Sequence, residues 1–104
     1  MTFDIMGINP LNENGLYLSF NNVSWYPLWN ELCRYVHELT KEDQEKGSMN
    51  DGLLIDGNKH FAIIRTLDEV LSSGINRYGI DDITWSNLQA LLTFCESNEG
   101  FRIW

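Results

Sequence analysis

Basic residues are scarce in this chain of 104 residues, where seven lysines and arginines stand against fifteen aspartates and glutamates and the formal charge is −8. A protein of that sign repels the phosphates of nucleic acids and the surfaces of anionic membranes, and it attracts cationic surfaces. Binding to nucleic acid or membrane is therefore disfavoured, and a basic protein is the favoured partner. Acidity also keeps a small protein soluble, so the charge alone does not separate recognition from solubility.

Cysteine is also rare, and Cys33 and Cys95 lie far apart in helix-like patterns. They form neither a disulfide framework nor a metal-ligand spacing, and beside apolar neighbours each is expected to be a small buried hydrophobe. Long apolar runs are missing too: none approaches the roughly 20 residues that span a bilayer, and residues 1–20 lack the features of a signal peptide. We therefore expect a cytoplasmic protein without a metal or cofactor.

The residues that are present have the composition of a folded protein, with 43% apolar and 12% aromatic residues and no repetitive tract. At roughly 100–200 residues per domain, we expect one domain spanning residues 1–104. A chain of this size is just large enough to bury a single core, so we expect a monomer or a small oligomer.

Period-two patterns predict short strands near both ends of the chain. In residues 1–8, Phe3 and Ile5 share one face, as in a half-buried strand. A turn marked by Asn14 and Gly15 leads to a second strand over residues 16–20. After Gly100, residues 101–104 form a terminal strand. Residues 53–55 are either a buried turn or a very short strand.

Steps of three and four residues predict the first helix. Ser24 is the expected cap, and Pro27 is expected in the first turn, where an amide has no helical partner. For residues 40–52, a polar segment, we predict a frayed helix end followed by a loop. The predicted apolar stripe of the first helix consists of Trp25, Leu28, Trp29, Leu32, Val36 and Leu39.

Two further helices are predicted in the second half of the chain. The second starts near Asn58 with Asp56 as its cap and ends at Gly74. The third opens with Asp81 and Asp82, and Thr84 is its expected cap. Their predicted inner faces are Phe61, Ile64, Leu67, Val70 and Leu71 in the second helix, and Trp85, Leu88, Leu91, Leu92 and Cys95 in the third.

Together these elements predict an α+β fold. Three amphipathic helices must bury their apolar stripes, and the strands lie mostly at the chain ends. The simplest arrangement packs the three helices on a small antiparallel sheet made from the chain ends.

Residues that invite catalytic interpretations have simpler structural explanations. Ser24 lacks the strained turn of a nucleophilic serine, and His37 lies near the end of the first helix, where an imidazole complements the helix dipole. His60 has no cysteine or second histidine nearby to complete a metal site. Asp51 and Asp56 lie near glycines, but neither a calcium loop nor a phosphate-binding glycine pattern is present. We therefore predict no catalytic residue and no enzyme.

Aromatic residues are spread over all the predicted elements, and most of them must lie in the core because each ring buries a large apolar area. Tyr26 flanks the apolar stripe of the first helix, and Trp104 ends the sequence. We predict that these two remain on the surface as contact residues.

Five segments of the sequence carry a resemblance to known proteins: Gly15 to Asn22, Trp25-Tyr26-Pro27-Leu28-Trp29, Asn50-Asp51-Gly52, Asp56-Gly57 and Gly100-Phe101-Arg102-Ile103-Trp104. Together they resemble a family of small bacterial proteins of unknown function. The resemblance spans most of the chain, although Leu18 stands where those relatives favour an aromatic residue. It implies a shared fold and a bacterial or phage origin, and it transfers no functional site.

The sequence thus favours a small acidic protein-binding module, and its most concrete form is an immunity or inhibitor protein that masks the basic cleft of a nuclease toxin. One alternative is a small-molecule or enzymatic role in a cleft between the first and second predicted helices, and another is a phage inhibitor of host defence. The residues predicted to contact a partner are Tyr26, Glu42, Asp43, Glu45, Asp81 and Asp82.

Overall fold

Four α-helices and four strands make up the fold in a computed structural model that describes residues 2–72 and 74–104. The predicted α+β class is confirmed, with one more helix than the sequence predicts. In chain order the elements are β1 (Thr2–Gly7), β2 (Tyr17–Asn21), α1 (Asn22–Tyr35), α2 (Lys41–Lys46), β3 (Leu53–Asp56), α3 (Gly57–Leu71), α4 (Asp82–Glu96) and β4 (Gly100–Ile103).

The strands form one antiparallel sheet in the order β2-β1-β4-β3. The two strands nearest the chain ends, β1 and β4, lie side by side in its centre, and the predicted use of the chain ends in an antiparallel sheet is confirmed. The segment around residues 53–55 is a strand rather than a turn, and it adds an edge from the middle of the chain. Phe3, Ile5, Phe101 and Ile103 share the inner face and are fully buried.

The first helix begins earlier and ends earlier than its sequence pattern predicts. The side chain of Asn21, not that of Ser24, caps it by accepting a hydrogen bond of 2.8 Å from the Ser24 amide. Pro27 consequently lies inside the helix rather than in its first turn, where it removes one i→i−4 hydrogen bond. The predicted stripe is buried throughout, although Val36 and Leu39 follow the end of α1.

The segment predicted as a frayed end and a loop contains a separate helix, α2, so that prediction is wrong. Thr40 and Asp43 form a capping box: Thr40 donates its amide to the Asp43 carboxylate at 2.9 Å, and Asp43 donates its amide to Thr40 Oγ1 at 3.1 Å. The reciprocal bonds satisfy amides that would otherwise lack partners, so six polar residues form a helix.

The predicted buried face of α3 and the predicted cap of α4 both need correction. At the start of α3 the buried side chain is that of His60, while Phe61 is 63% exposed, because the apolar residues at three- and four-residue spacing fit two helix faces that differ by one position. Asp56 occupies the cap position but makes no side-chain capping bond. In α4 the cap is Asp81, which accepts from the Thr84 amide at 2.8 Å, and Thr84 itself is buried.

The helices and the inner face of the sheet share one hydrophobic core. Rings stack through it: the centroids of Phe3 and Trp25 are 5.5 Å apart, and those of Trp25 and Trp29 are 5.6 Å apart. Cys95 is fully buried and Cys33 partly buried, both as free thiols. Burial, helped by the nearby Asp43 carboxylate, raises the pKa of Cys33 to about 12. Within the described residues, no helix combines the length and apolar character needed to cross a membrane.

Candidate functional site

The acidic residues of α2 differ sharply in what surrounds them. Glu42 is exposed and forms an ion pair with Lys46 at 2.8 Å, and the hydrogen bond and charge of that lysine lower the pKa of the Glu42 carboxyl. Glu45 is also exposed, with no ion pair among the described residues. These two side chains lie at the surface, where a partner protein could reach them.

Asp43 is only 5% exposed, although it belongs to the same short helix. Besides making capping bonds with Thr40, its carboxylate forms an ion pair with Lys59 Nζ at 2.7 Å. Burial opposes its ionisation, but the bonds from Lys59 and Thr40 outweigh that effect and hold the pKa of Asp43 below its ordinary value. The carboxylate therefore fastens α2 to α3, and this role leaves it little surface to offer a partner.

Asp81 and Asp82 are exposed at the start of α4. Asp81 is partly engaged, because it accepts both the amide and the hydroxyl of Thr84 at 2.8 Å, and these bonds hold the pKa of Asp81 below its ordinary value. Asp82 lies in the first turn of the helix, where its charge complements the positive end of the dipole.

The predicted acids form two separate groups at opposite ends of α3. Lys59 in the first turn of α3 holds Asp43. His60, beside it, interacts with the backbone of Cys95 near the end of α4, and Asp56 before α3 pairs with Gly100 after α4. The start of α3 therefore lies beside the end of α4, and because the two helices pack against each other, the start of α4 lies toward the far end of α3. Because α3 has 15 residues, the two groups are separated by about 20 Å. The structure does not bring them into one cluster.

Most of the basic side chains form ion pairs with acidic side chains. Glu31, Glu42, Asp43 and Glu38 bind Arg34, Lys46, Lys59 and Arg65 at distances of 2.6 to 3.7 Å. Among the described residues, Lys41, Arg77 and Arg102 are the basic side chains outside these pairs. The surplus negative charge is therefore carried by acids that form no ion pair among the described residues.

The predicted aromatic contact residues both reach the surface. Tyr26 is 38% exposed, and its ring meets the buried ring of Phe3 edge-on at 5.5 Å. Trp104 is 47% exposed, and its backbone pairs with Asp4 through bonds of 3.0 and 2.9 Å. Its ring lies on Gly52: a Cβ atom at that glycine would come within 2.6 Å of the indole.

The outer face of the sheet is a further surface, which the sequence reasoning missed. Tyr17, Met6, Arg102 and Leu54 form a row across all four strands, since Met6 is paired with both Tyr17 and Arg102, and Arg102 with Leu54. Tyr17 and Met6 are 49% and 43% exposed. The same period-two patterns that place Phe3 and Phe20 inward place these residues outward, so alternation could have indicated this face.

The histidines and helix contacts bear on the alternative of a cleft between α1 and α3, the first and second predicted helices. His37 is exposed, whereas His60 is buried with no hydrogen-bond partner for Nε2 in the described residues, and burial lowers the pKa of its imidazole. Glu38, in the turn after α1, forms an ion pair with Arg65 of α3 at 2.6 Å. The described residues enclose no pocket and hold no group of three side chains suited to a metal ion.

These features define an α+β protein whose helices pack on the inner face of a four-stranded antiparallel sheet. Its surface is acidic, and most of its acidic side chains form no ion pair among the described residues. In comparisons with known proteins, no family model, curated protein or solved structure matches the chain. The predicted resemblance to a family of small bacterial proteins stays a prediction.

Proposed function

We propose that this protein is a cytoplasmic, acidic protein-binding module without enzymatic activity, and that its partner is a basic protein. The observation that carries the proposal is the distribution of charge. Most basic side chains form ion pairs within the fold, while Glu45, Asp82 and other exposed acids form none among the described residues. A basic surface would supply the missing counter-charges.

The two acidic groups are compatible with a single partner. A standard protein interface buries about 800 Å² on each side, which corresponds to a patch about 30 Å across. The separation of about 20 Å between α2 and the start of α4 fits within that patch. Tyr26 supplies an aromatic contact of the type that dominates binding energy at interfaces.

Electrostatic complementarity of this kind mainly accelerates association and rejects wrong partners. Both properties suit an inhibitor that must capture a harmful basic enzyme quickly. The most concrete form of the proposal is therefore an immunity or inhibitor protein for a basic nuclease toxin. A phage inhibitor of host defence would use the same surface, and the identity of the captured protein distinguishes the two.

Charge reversal tests the proposal. The protein is used to capture partners from cells of its source, and the association rate of the captured protein is measured for the wild type and for the Glu45→Lys/Asp82→Lys variant. Like charges would then meet across the interface, so we expect the association rate to fall at least about tenfold at low salt. The single variants Glu45→Lys and Asp82→Lys show which end of α3 contributes more.

The matched control is Glu13→Lys/Glu99→Lys, which changes the net charge equally at two exposed positions outside α2, α3 and α4. We expect a much smaller fall in the association rate for this control. Equal falls would mean that only the total charge matters and would remove Glu45 and Asp82 from the site. A captured partner that is acidic or neutral, or a rate unchanged in both variants, would overturn the proposed function.

A further inference from the structure

One stretch of this acidic chain carries no charge. Residues 14–30 contain no Asp, Glu, Lys, Arg or His, and this is the longest such stretch in the sequence. It includes the whole of β2, which forms one edge of the sheet. The chain therefore presents an uncharged strand at a position where a backbone can pair with another backbone.

The pairing pattern shows which backbone groups of β2 are open. Gly7 donates its amide to the carbonyl of Leu16 at 3.0 Å, which makes these two residues a hydrogen-bonded pair. Bonded and non-bonded pairs alternate in an antiparallel ladder. Residues 16, 18 and 20 therefore bond to β1, while residues 17, 19 and 21 direct their N–H and C=O groups away from it.

Contacts on the far side of β1 support this assignment. Asp4 is the register partner of Ser19, and both of its backbone groups bond to Trp104, at 3.0 and 2.9 Å. They are therefore not available to Ser19. The side chains of Tyr17 and Ser19 instead donate to the Asp4 carboxylate on the outer face, at 2.8 and 3.2 Å, which holds the strand in place without blocking its edge.

The two edges of the sheet differ in protection. Natural edge strands avoid unwanted pairing by being short or by carrying charges and proline. At the opposite edge, β3 is four residues long and ends in the charged Asp56. The five residues of β2 include neither a charge nor a proline. An edge strand without such protection is expected where the strand pairs with another chain in the native state.

The edge is complementary to itself. In an antiparallel arrangement centred on Ser19, Ser19 of each copy faces Ser19 of the other, and Tyr17 faces Asn21. The outward backbone groups of Tyr17 and Ser19 and the amide of Asn21 then meet backbone groups of the second copy. β2 brings no charged side chain of its own to this contact, and the Asp4 carboxylate beside it already accepts hydrogen bonds from Tyr17 and Ser19, so the strand itself favours a second copy over a basic peptide.

We propose that β2 is a dimerisation edge, through which two copies join their sheets into one antiparallel sheet of eight strands. The inference is independent of the proposed basic partner. A short strand pair buries less surface than a standard interface, so the dissociation constant is expected at about 10–100 µM. Each copy has a net charge of −8, so association should strengthen as salt screens the long-range repulsion.

Sedimentation equilibrium at concentrations that bracket this range tests the proposal. Ser19→Lys places two lysines opposite each other in the dimer, and we expect it to raise the dissociation constant at least about tenfold. Leu54→Lys makes a change of the same charge on the opposite edge strand and should leave the dissociation constant within about twofold, because surface substitutions away from an interface have small effects. Circular dichroism confirms that both variants are folded.

Hydrogen exchange followed by NMR gives a second measurement. The amides of Tyr17 and Ser19 should become protected as the concentration of the wild-type protein rises, and they should stay unprotected in Ser19→Lys. A protein that remains monomeric throughout the concentration range would overturn the proposal. A dimer that persists in Ser19→Lys, or one that Leu54→Lys dissociates equally, would do the same.

Discussion

His60 shows at the scale of one residue how burial creates a pH-dependent stability. Its side chain is 7% exposed, its ring lies 6.3 Å from that of Phe101, and Nε2 has no hydrogen-bond partner in the described residues. Burial lowers the pKa of His60 below its ordinary value of 6.5, although interactions with Asn98, the Cys95 backbone and Asp56 oppose the shift. The folded state thus favours the neutral imidazole.

The first prediction follows from this shift. Because the folded pKa is below the unfolded one, the unfolded state takes up the proton first as the pH falls below 6.5. The stability that His60 contributes is therefore complete above that pH and declines as the pH falls toward the folded pKa, by at most about 1.4 kcal/mol per pH unit. Urea unfolding between about pH 7.5 and 5.5 measures this decline.

The comparison that isolates His60 uses two glutamine variants. His60→Gln should show a weaker pH dependence than the wild type, whereas His37→Gln should retain it because His37 is exposed. If both variants kept the full dependence, another group would be responsible. The variants are compared by the slope of stability with pH rather than by absolute stability, since His60→Gln also changes the packing against Phe101.

At the scale of an element, α2 depends on contacts that are not local. Two indole groups fasten it to α1: Trp25 Nε1 donates to the carbonyl of Gly47 at 2.8 Å, and Trp29 Nε1 donates to that of Gln44 at 2.9 Å. Gly47 lies against the Trp29 ring, where an added Cβ would come within 2.1 Å. Asp43 makes the third attachment, to Lys59 of α3.

Substituting the neighbouring acids Asp43 and Glu42 in α2 compares the stability contributed by a buried carboxylate with that contributed by an exposed one. Asp43→Ala removes half of the capping box and leaves Lys59 without its partner, so we expect a loss of about 2 kcal/mol in the free energy of unfolding. Glu42→Ala removes only an exposed ion pair and should change stability little. Chemical denaturation of both variants checks the difference, and equal effects would mean that Asp43 is not a structural attachment.

The sequence could predict those parts of the fold that local patterns determine. Alternation placed Phe3 and Ile5 inward correctly, and helical spacing identified the buried stripe of α1. Helical spacing could not decide whether His60 or Phe61 is buried, because both positions fit an apolar face of α3. Only packing against the sheet and α4 selects one of them. Of the candidate contact residues, Glu45 and Asp82 are exposed as expected. The burial of Asp43 depends on Lys59, which is distant in sequence, and no local pattern could reveal it.

The whole molecule has an imbalance of charge that should limit its stability. A net charge of −8 is compressed into a fold with a radius of gyration of 12.4 Å. That radius is comparable to the Debye length of about 10 Å at 0.1 M salt, so charges across the molecule repel each other at low salt. The four ion pairs are mostly exposed and attract only weakly.

We therefore predict that salt stabilises the monomer. Raising NaCl from about 20 to about 300 mM should increase the urea midpoint, because screening removes more repulsion than attraction. The measurement is made at protein concentrations low enough to exclude dimers, with Ser19→Lys as a check. Asp68→Lys/Glu69→Lys halves the net charge and should respond less to salt than the wild type. A midpoint that falls with salt would show that the ion pairs, rather than the surplus acids, dominate the electrostatic energy of the fold.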